Sequence, residues 1–161
     1  MDKKFDVVIV GTGAAGLYAA LNFPESVNIL LVSKRELQLS NSSLAQGGVA
    51  CVLDTVHDSY KLHITDTLIA GKYKNTLSAV EKLVTEGPSD VLKIKDLGVD
   101  FDLNEDGTMC KTLEAGHSRN RIVHHKDSTG KAIVDGLIAK VTQLKNVTVY
   151  DNALVYSIDR K

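Results

Sequence analysis

Hydrophobic positions along the chain change their spacing several times, and each change predicts an element. Phe5 to Val10, reading FDVVIV, is an unbroken apolar run of strand length, the pattern of a strand buried on both faces of a parallel sheet. Ala14 to Asn22 places Leu17, Ala20 and Leu21 at helical spacing, and Pro24 helps to end that helix. Val27 to Val32 is a second buried strand. Strand, helix and strand in about thirty residues make a βαβ unit, expected to be parallel and right-handed.

Further on, Tyr60, Ile64 and Leu68 recur at every fourth position between His57 and Gly71, which predicts a helix stopped at the glycine. Another helix is expected from near Thr76, with Ala79, Val80, Leu83 and Val84 on one face. The GPSD stretch at Gly87 to Asp90 should interrupt it, and Pro88 should begin a separate helix ending at Gly98. VDFDLNEDGTMC alternates around a Glu-Asp-Gly turn and reads as a small hairpin. Ser128 to Leu144 is a helix whose stripe is Ile133, Val134, Leu137, Ile138 and Val141. NVTVYDNALVYSI then reads as two strands broken at Asp151-Asn152. The sum is one α/β domain with helical insertions, without repeat, low-complexity tract or linker.

Composition narrows what such a domain does. With 161 residues the chain is long enough for one core, and 43% hydrophobic and 24% charged residues are ordinary for a soluble protein. A net charge of −1 makes no electrostatic case for nucleic acid or an anionic membrane. No apolar run is long enough to span a bilayer, and the N-terminus runs straight into a strand with no room for a signal peptide. Cys51 and Cys110 form no CxxC pair. A reduced, cytoplasmic protein is the expectation.

The candidate chemistry begins with GTGAAG, which matches G-x-G-x-x-G at Gly11, Gly13 and Gly16 between a predicted strand and a predicted helix. Gly11 permits the tight turn, Gly13 lets backbone approach a pyrophosphate, and Gly16 lets helix and strand pack closely. The free N–H groups at the helix start and the helix dipole both favour phosphate there. A tight βα turn without a ligand is the plain alternative. The ribose-binding acid of NAD sites is missing from the end of the second strand, which reads Val32-Ser33-Lys34-Arg35, with Glu36 too late. Ser33 suits a ribose hydroxyl, and Lys34 an adenylate phosphate or solvent.

A second glycine-bearing loop, SNSSLAQGGVA from Ser40 to Ala50, follows at once. Gly47 and Gly48 permit close backbone approach, while Ser42, Ser43 and Gln46 offer side-chain partners, donors of the kind a flat flavin ring uses at its edge. With GTGAAGLYAAL, LVSK, SLAQGGVA, DSYKLHITDTLIAG, AVEKLVTEGPSDV, LGVDFD, EAGHSRNRIVHHKDSTGKAI and the final NALV in order, nearly the whole chain resembles the succinate dehydrogenase/fumarate reductase flavoprotein family.

That resemblance implies a Rossmann-like FAD-binding domain: a parallel sheet flanked by helices, with a helical insertion and a small hairpin. It assigns Gly11, Thr12, Gly13, Ala14, Ala15, Gly16, Ser33 and Lys34 to the pyrophosphate and adenosine side of FAD. Ser42, Ser43, Leu44, Ala45, Gln46, Gly47, Gly48 and Val49 fall to the isoalloxazine and ribityl side, and the backbone of Ala153 and Leu154 to the adenine.

Two positions place the chain with those members that oxidise L-aspartate. Where the dehydrogenases carry the histidine that bonds covalently to FAD stands Asn41, which lacks the nucleophile, so FAD is expected to be non-covalent. Where they usually carry an apolar aromatic stands Glu114, whose carboxylate suits an α-ammonium by charge-assisted hydrogen bonding. The usual R-E-G-G-H-S of that branch is altered here to L-E-A-G-H-S, with Leu113 and Ala115 replacing the arginine and first glycine.

The implied reaction is oxidation of L-aspartate to iminoaspartate in NAD biosynthesis. Glu114 is its catalytic and substrate-positioning residue and His117 a second substrate contact. Oxygen or fumarate would be the electron acceptor, and quinolinate synthase the partner that takes the product. Residues 1–161 would be the N-terminal part of the FAD-binding domain, truncated before the capping and C-terminal domains and inactive alone.

Plainer readings stand beside these. By itself Glu114 reads as a solvated loop carboxylate, a reading the resemblance shifts toward substrate contact, and His117 has the alternative of a structural loop histidine. His124 and His125 are adjacent and expected to point apart, so they make no metal pair. His57 and His63 do not share a helical face. Arg119 and Arg121 either orient the loop around Glu114 or are solvated, and Thr129 and Gly130 have a capping explanation. A fumarate reductase-like fragment and a non-catalytic nucleotide-binding module remain open alternatives.

Overall fold

The computed structural model describes residues 3–159. Its elements follow in the order β1 (Val7–Val10), α1 (Ala14–Leu21), β2 (Ile29–Val32), β3 (Val49–Ala50), α2 (Tyr60–Ala70), α3 (Leu77–Asp96), β4 (Lys111–Thr112), β5 (Ile122–Val123), α4 (Thr129–Val141) and β6 (Val147–Tyr150). They group into two compact units. One takes the chain up to Ala45, Leu97–Val99 and the residues from Gly130 onward; the other takes Gln46–Asp96 and Asp100–Thr129.

The first unit holds the βαβ expected from the apolar runs. Its sheet has the order β1-β2-β6, all parallel, with Val7 opposite Ile29 and Ile29 in turn opposite Val147. β2 is central, and Ile29 and Leu31 are fully buried. The FDVVIV strand is not buried on both faces as its composition predicts: Val8 and Val10 are 55% and 59% exposed, because nothing among the described residues covers that face. α1 buries Leu17 and Ala20 and ends at Asn22, whose side-chain amide donates to the Tyr18 carbonyl.

α4 buries Val134, Leu137, Ile138 and Val141, the stripe read from its spacing. Gly136 lies so close to Val99 that an added Cβ would sit 2.9 Å from its Cγ2. After β6 the chain turns at Asn152, where φ is +51°, and the Ala153 amide donates to the Ser33 carbonyl. The second strand expected beyond Asn152 does not form. Among the described residues no strand pairs with it, and an apolar alternation without a ladder partner leaves its amides unsatisfied.

The second unit is built on a small antiparallel sheet of two-residue strands, order β3-β5-β4, pairing Val49 with Val123 and Lys111 with Val123. The predicted hairpin is present in reduced form. Leu103 bridges Met109, the Asn104 amide donates to the Thr108 carbonyl, and Gly107 takes the left-handed conformation at φ +81°.

α2 starts at Tyr60 rather than His57, since Ser59 caps it by accepting from the Leu62 amide and Asp54 holds the preceding turn. Its buried side chain is His63, not the Tyr60–Ile64–Leu68 stripe. α3 is the larger departure: one continuous helix runs through Pro88, where sequence reasoning expected two. Val80, Val84, Pro88 and Val91 are all buried and fall on one helical face. Burying that face outweighs the one hydrogen bond a proline removes. Leu83, read with the buried set, lies outside it at 68% exposure.

Truncating Leu137 should therefore cost about 2–5 kcal/mol of unfolding free energy. Truncating Leu83 should change it by less than about 0.5 kcal/mol. Urea denaturation of Leu137→Ala and Leu83→Ala reads both, and equal losses would contradict the packing described.

Candidate functional site

The first glycine loop leaves β1 with Gly11 at φ +110°, a conformation L side chains rarely adopt, and its amide donates to the Val32 carbonyl at 2.8 Å. Gly16 is needed for contact rather than conformation: an added Cβ would lie 2.0 Å from the Gly11 carbonyl oxygen. Gly13 is the N-cap of α1, with no side-chain cap and no acidic residue in the first turn. The amides of that turn have no intrahelical acceptor. One of them, Ala14 N, donates to Ser42 Oγ at 3.2 Å, while Ala15 and Gly16 lie in the same turn. Thr12 and Ser33 are both buried, and the Thr12 hydroxyl donates to Ser33 Oγ at 2.9 Å, leaving the Ser33 hydroxyl its own proton. The Ser33 amide donates to the Tyr150 carbonyl, and Lys34 and Leu154 are exposed. An acid-free helix start with a glycine N-cap, reached through a glycine at positive φ, fits the phosphates of a dinucleotide.

Ser40 to Ala45 folds on itself. The Ser40 amide donates to Ser43 Oγ, the Ser43 amide to Ser40 Oγ, and the Ala45 amide to the Ser42 carbonyl. Gly130, which sequence reasoning left as an ordinary helix start, is what admits this turn. Its amide donates to the Ala45 carbonyl, and an added Cβ would sit 2.0 Å from the Ser42 oxygen. Asn41 and Leu44 are exposed on it. Thr129 is no N-cap of the usual kind, since its hydroxyl accepts from the His125 amide at 3.0 Å.

In the second unit, Gln46 and Gly47 are exposed, and Gly48 presses on β5, where an added Cβ would meet Ile122 Cγ2 at 2.4 Å. The same unit brings Glu114 beside this loop: a Cβ on Gly47 would lie 3.8 Å from Glu114 Oε2. Glu114 opens a tight turn in which the His117 amide donates to its carbonyl and Gly116 takes φ +85°. Two candidates from separate stretches of sequence, Gly47 and Glu114, are thus neighbours.

Beneath that turn lies a network the sequence does not reveal. Arg121 is fully buried, and its Nε and Nη2 each donate at 2.8 Å to one oxygen of Asp58. Its Nη1 donates to Asp66 Oδ2 at 2.5 Å and reaches His117 Nδ1 at 3.2 Å. Asp66 also accepts from the Ser118 amide and hydroxyl, both at 2.8 Å. Burial pushes the carboxyls of Asp58 and Asp66 upward, but hydrogen bonds from Arg121, with those of Ser59 to Asp58 and Ser118 to Asp66, and the charge of Arg121 together outweigh it and hold both below the usual range. Of the two arginines in this loop, Arg121 orients it, and Arg119 is exposed with its Nη1 on the Ser118 carbonyl.

His124 and His125 do not diverge as expected. His124 Nδ1 donates to Asp102 Oδ2 at 3.0 Å, and His125 Nδ1 lies 3.8 Å from the other oxygen of the same carboxylate. Asp102 Oδ2 also accepts from the Lys126 amide at 2.7 Å. His57 belongs to the turn before α2 and donates to Asp54. Both cysteines are free, and burial pushes the Cys51 thiol up to about 12. No helix among the described residues is long and apolar enough to cross a membrane.

Comparison with known proteins shows the family to which the chain belongs. A family model described as FAD binding domain matches residues 6–161. The L-aspartate oxidase of Clostridium perfringens is 43% identical over 158 residues, covering 98% of this chain and 35% of that protein. That of Acinetobacter baylyi is 43% identical over 154 residues, 96% of this chain and 28% of its own length. This chain therefore spans about a third of these curated relatives. Among solved structures, an E. coli quinol fumarate reductase superposes with a TM-score of 0.88 at 27% identity, over 92% of this chain and 26% of that one. Mycobacterium smegmatis Sdh1 follows with a TM-score of 0.80 at 27% identity, over 92% and 27%.

The network beneath the turn carries a pH signature. His63 is 6% exposed, and its ring lies 5.6 Å from that of His117. Burial first, then the charges of Arg121 and His117, push its pKa down to about 4. Between the ordinary histidine value and that figure the unfolded chain binds the extra proton, so stability falls as pH falls. Urea denaturation at about pH 7 and about pH 5 should differ by roughly 2 kcal/mol, and His63→Leu should remove that difference. Equal stability at both pH values in the native sequence would contradict the assignment.

Proposed function

We propose, on the premise that the chain belongs to the FAD binding domain family, that it is the N-terminal FAD-binding part of an L-aspartate oxidase. The observation that carries this reading is the approach of Glu114 to the Gln46–Gly48 loop within one unit. In the residue assignment it follows, that loop belongs to the flavin side, and a carboxylate there is suited to an amino-acid substrate. A carboxylate facing an α-ammonium makes a charge-assisted hydrogen bond, and a site built for one discriminates against a dicarboxylate that lacks it. The names of the relatives in Clostridium and Acinetobacter support the same substrate. Fold likeness to fumarate reductase supports a flavoprotein of either kind; Glu114 and Asn41 favour the aspartate branch.

Gly11, Thr12, Gly13, Ala14, Ala15 and Gly16 would hold the pyrophosphate through backbone donors, with Ser33 and Lys34 beside the adenosine. Ser42 through Val49 would serve the flavin and ribityl portion, and the backbone of Ala153 and Leu154 the adenine. Asn41 has no nucleophile, so attachment would be non-covalent. When bound, FAD supplies the two-electron oxidation, and the protein supplies binding, orientation and electrostatics. Glu114 orients the substrate ammonium, and His117 offers a second polar contact. Residues beyond this chain would complete the whole enzyme, with L-aspartate as substrate, oxygen or fumarate as acceptor, and quinolinate synthase as the consumer of its product.

Titrating the 161-residue chain with FAD tests the cofactor assignment. Saturable quenching of flavin fluorescence that NAD does not reverse is expected, with affinity reduced about tenfold or more by Gly13→Val, a loss of about 1.4 kcal/mol. Tight NAD binding without any flavin effect would overturn it. In the full-length enzyme, Glu114→Gln should raise KM for L-aspartate about tenfold to a hundredfold, the equivalent of about 1.5–3 kcal/mol. An unchanged KM would remove Glu114 from the substrate site.

A further inference from the structure

We propose that Arg121 is a positioning residue that fixes His117 as its Nε2–H tautomer, so that the Glu114–His117 turn offers a carboxylate acceptor at one end and an imidazole N–H donor at the other. What this pair reads rests on the function proposed above; the tautomer itself does not.

The argument starts from an asymmetry of donors. A guanidinium has five N–H groups and no acceptor, whereas a neutral imidazole has one N–H and one lone pair. Arg121 Nη1 stands 3.2 Å from His117 Nδ1. The proton in that contact belongs to arginine, so Nδ1 supplies the lone pair and the ring proton sits on Nε2. A flipped ring would turn a carbon toward Nη1 and lose the bond.

Arg121 is not free to adapt to the histidine instead. Asp58 engages its Nε and Nη2 together, and Asp66 takes the other hydrogen of Nη1. The histidine backbone is fixed to the same frame, because Asp66 also accepts from the amide and hydroxyl of Ser118, the next residue. The remaining neighbour is His63, whose own Nδ1 is buried without a partner and whose ring is tilted 58° to that of His117. Among the described residues, His117 Nε2 makes no hydrogen bond, which leaves its proton for something else.

A fixed N–H donor suits a carboxylate oxygen, and Glu114 suits an ammonium. The two residues belong to one turn, closed by the hydrogen bond from the His117 amide to the Glu114 carbonyl. An α-amino acid carries both groups on one carbon and so has a partner to offer each end. A plain dicarboxylate satisfies only the histidine and faces Glu114 with like charge.

The test is the two-bond 1H–15N correlation spectrum of the 15N-labelled chain at about pH 8, above the ordinary histidine range, with His117 assigned from its loss in His117→Asn. The expected spectrum shows an unprotonated Nδ1 and a protonated Nε2 without averaging between them. A proton on Nδ1, or averaged shifts, would overturn the proposal. In Arg121→Met, checked for folding by circular dichroism, the two nitrogens should move toward a common averaged position. An unaltered Nε2–H signature in that folded variant would overturn the role of Arg121. Should that variant not fold, the native spectrum still decides the tautomer. No flavin or substrate enters the measurement, so failure of the aspartate reading through Glu114→Gln and failure of the tautomer are separate results.

Discussion

A guanidinium with no exposed surface needs its partners inside the fold, and Arg121, on the approach to β5, is matched by three separate stretches of the second unit. Asp58 comes from the turn before α2, Asp66 from α2 itself, and His117 from the Glu114 turn. Removing one partner of such a pair leaves a buried charge uncompensated, a cost on the order of 3–5 kcal/mol. The segment from Glu114 to Asn120 has almost no regular structure of its own, so its shape depends on this one cation.

Close backbone approach is the corresponding constraint in the first unit. Gly16 against Gly11 and Gly130 against the Ser42–Ala45 turn are contacts at which a single methyl group would collide with a carbonyl oxygen. At Gly130 the helix start donates its amide to the Ala45 carbonyl of the loop. The Ser42 hydroxyl accepts from the first amide of α1, joining the serine turn to the glycine loop. Both loops keep amides and hydroxyls oriented by their own backbone, and such preorganised donors suit a long, polar cofactor.

Much of this was legible in the chain. The strand–glycine–helix–strand order, the stripe of α4 and the Glu-Asp-Gly hairpin follow from periodicity and turn chemistry, which act over a few residues. Pro88 was misread for the same reason: a local rule treats it as a helix start, while burial of Val80, Val84 and Val91 on its own face keeps the helix continuous. An unbroken apolar run points Val8 and Val10 inward and helical spacing points Leu83 inward, yet all three are exposed, because being apolar does not supply a neighbour.

The sequence by itself determined the parallel βαβ unit and the glycine loop, and it supplied Glu114 as a candidate only. Tertiary structure alone decided that Glu114 lies beside Gly47, that Arg121 is buried while Arg119 is solvated, and that Gly130 admits the serine turn. The reason is separation along the chain. Asp58 and Arg121 are 63 residues apart, and no pattern of period two or 3.6 links residues at that distance. Their pairing exists only where the fold removes both charges from water and sets them within hydrogen-bonding reach of each other.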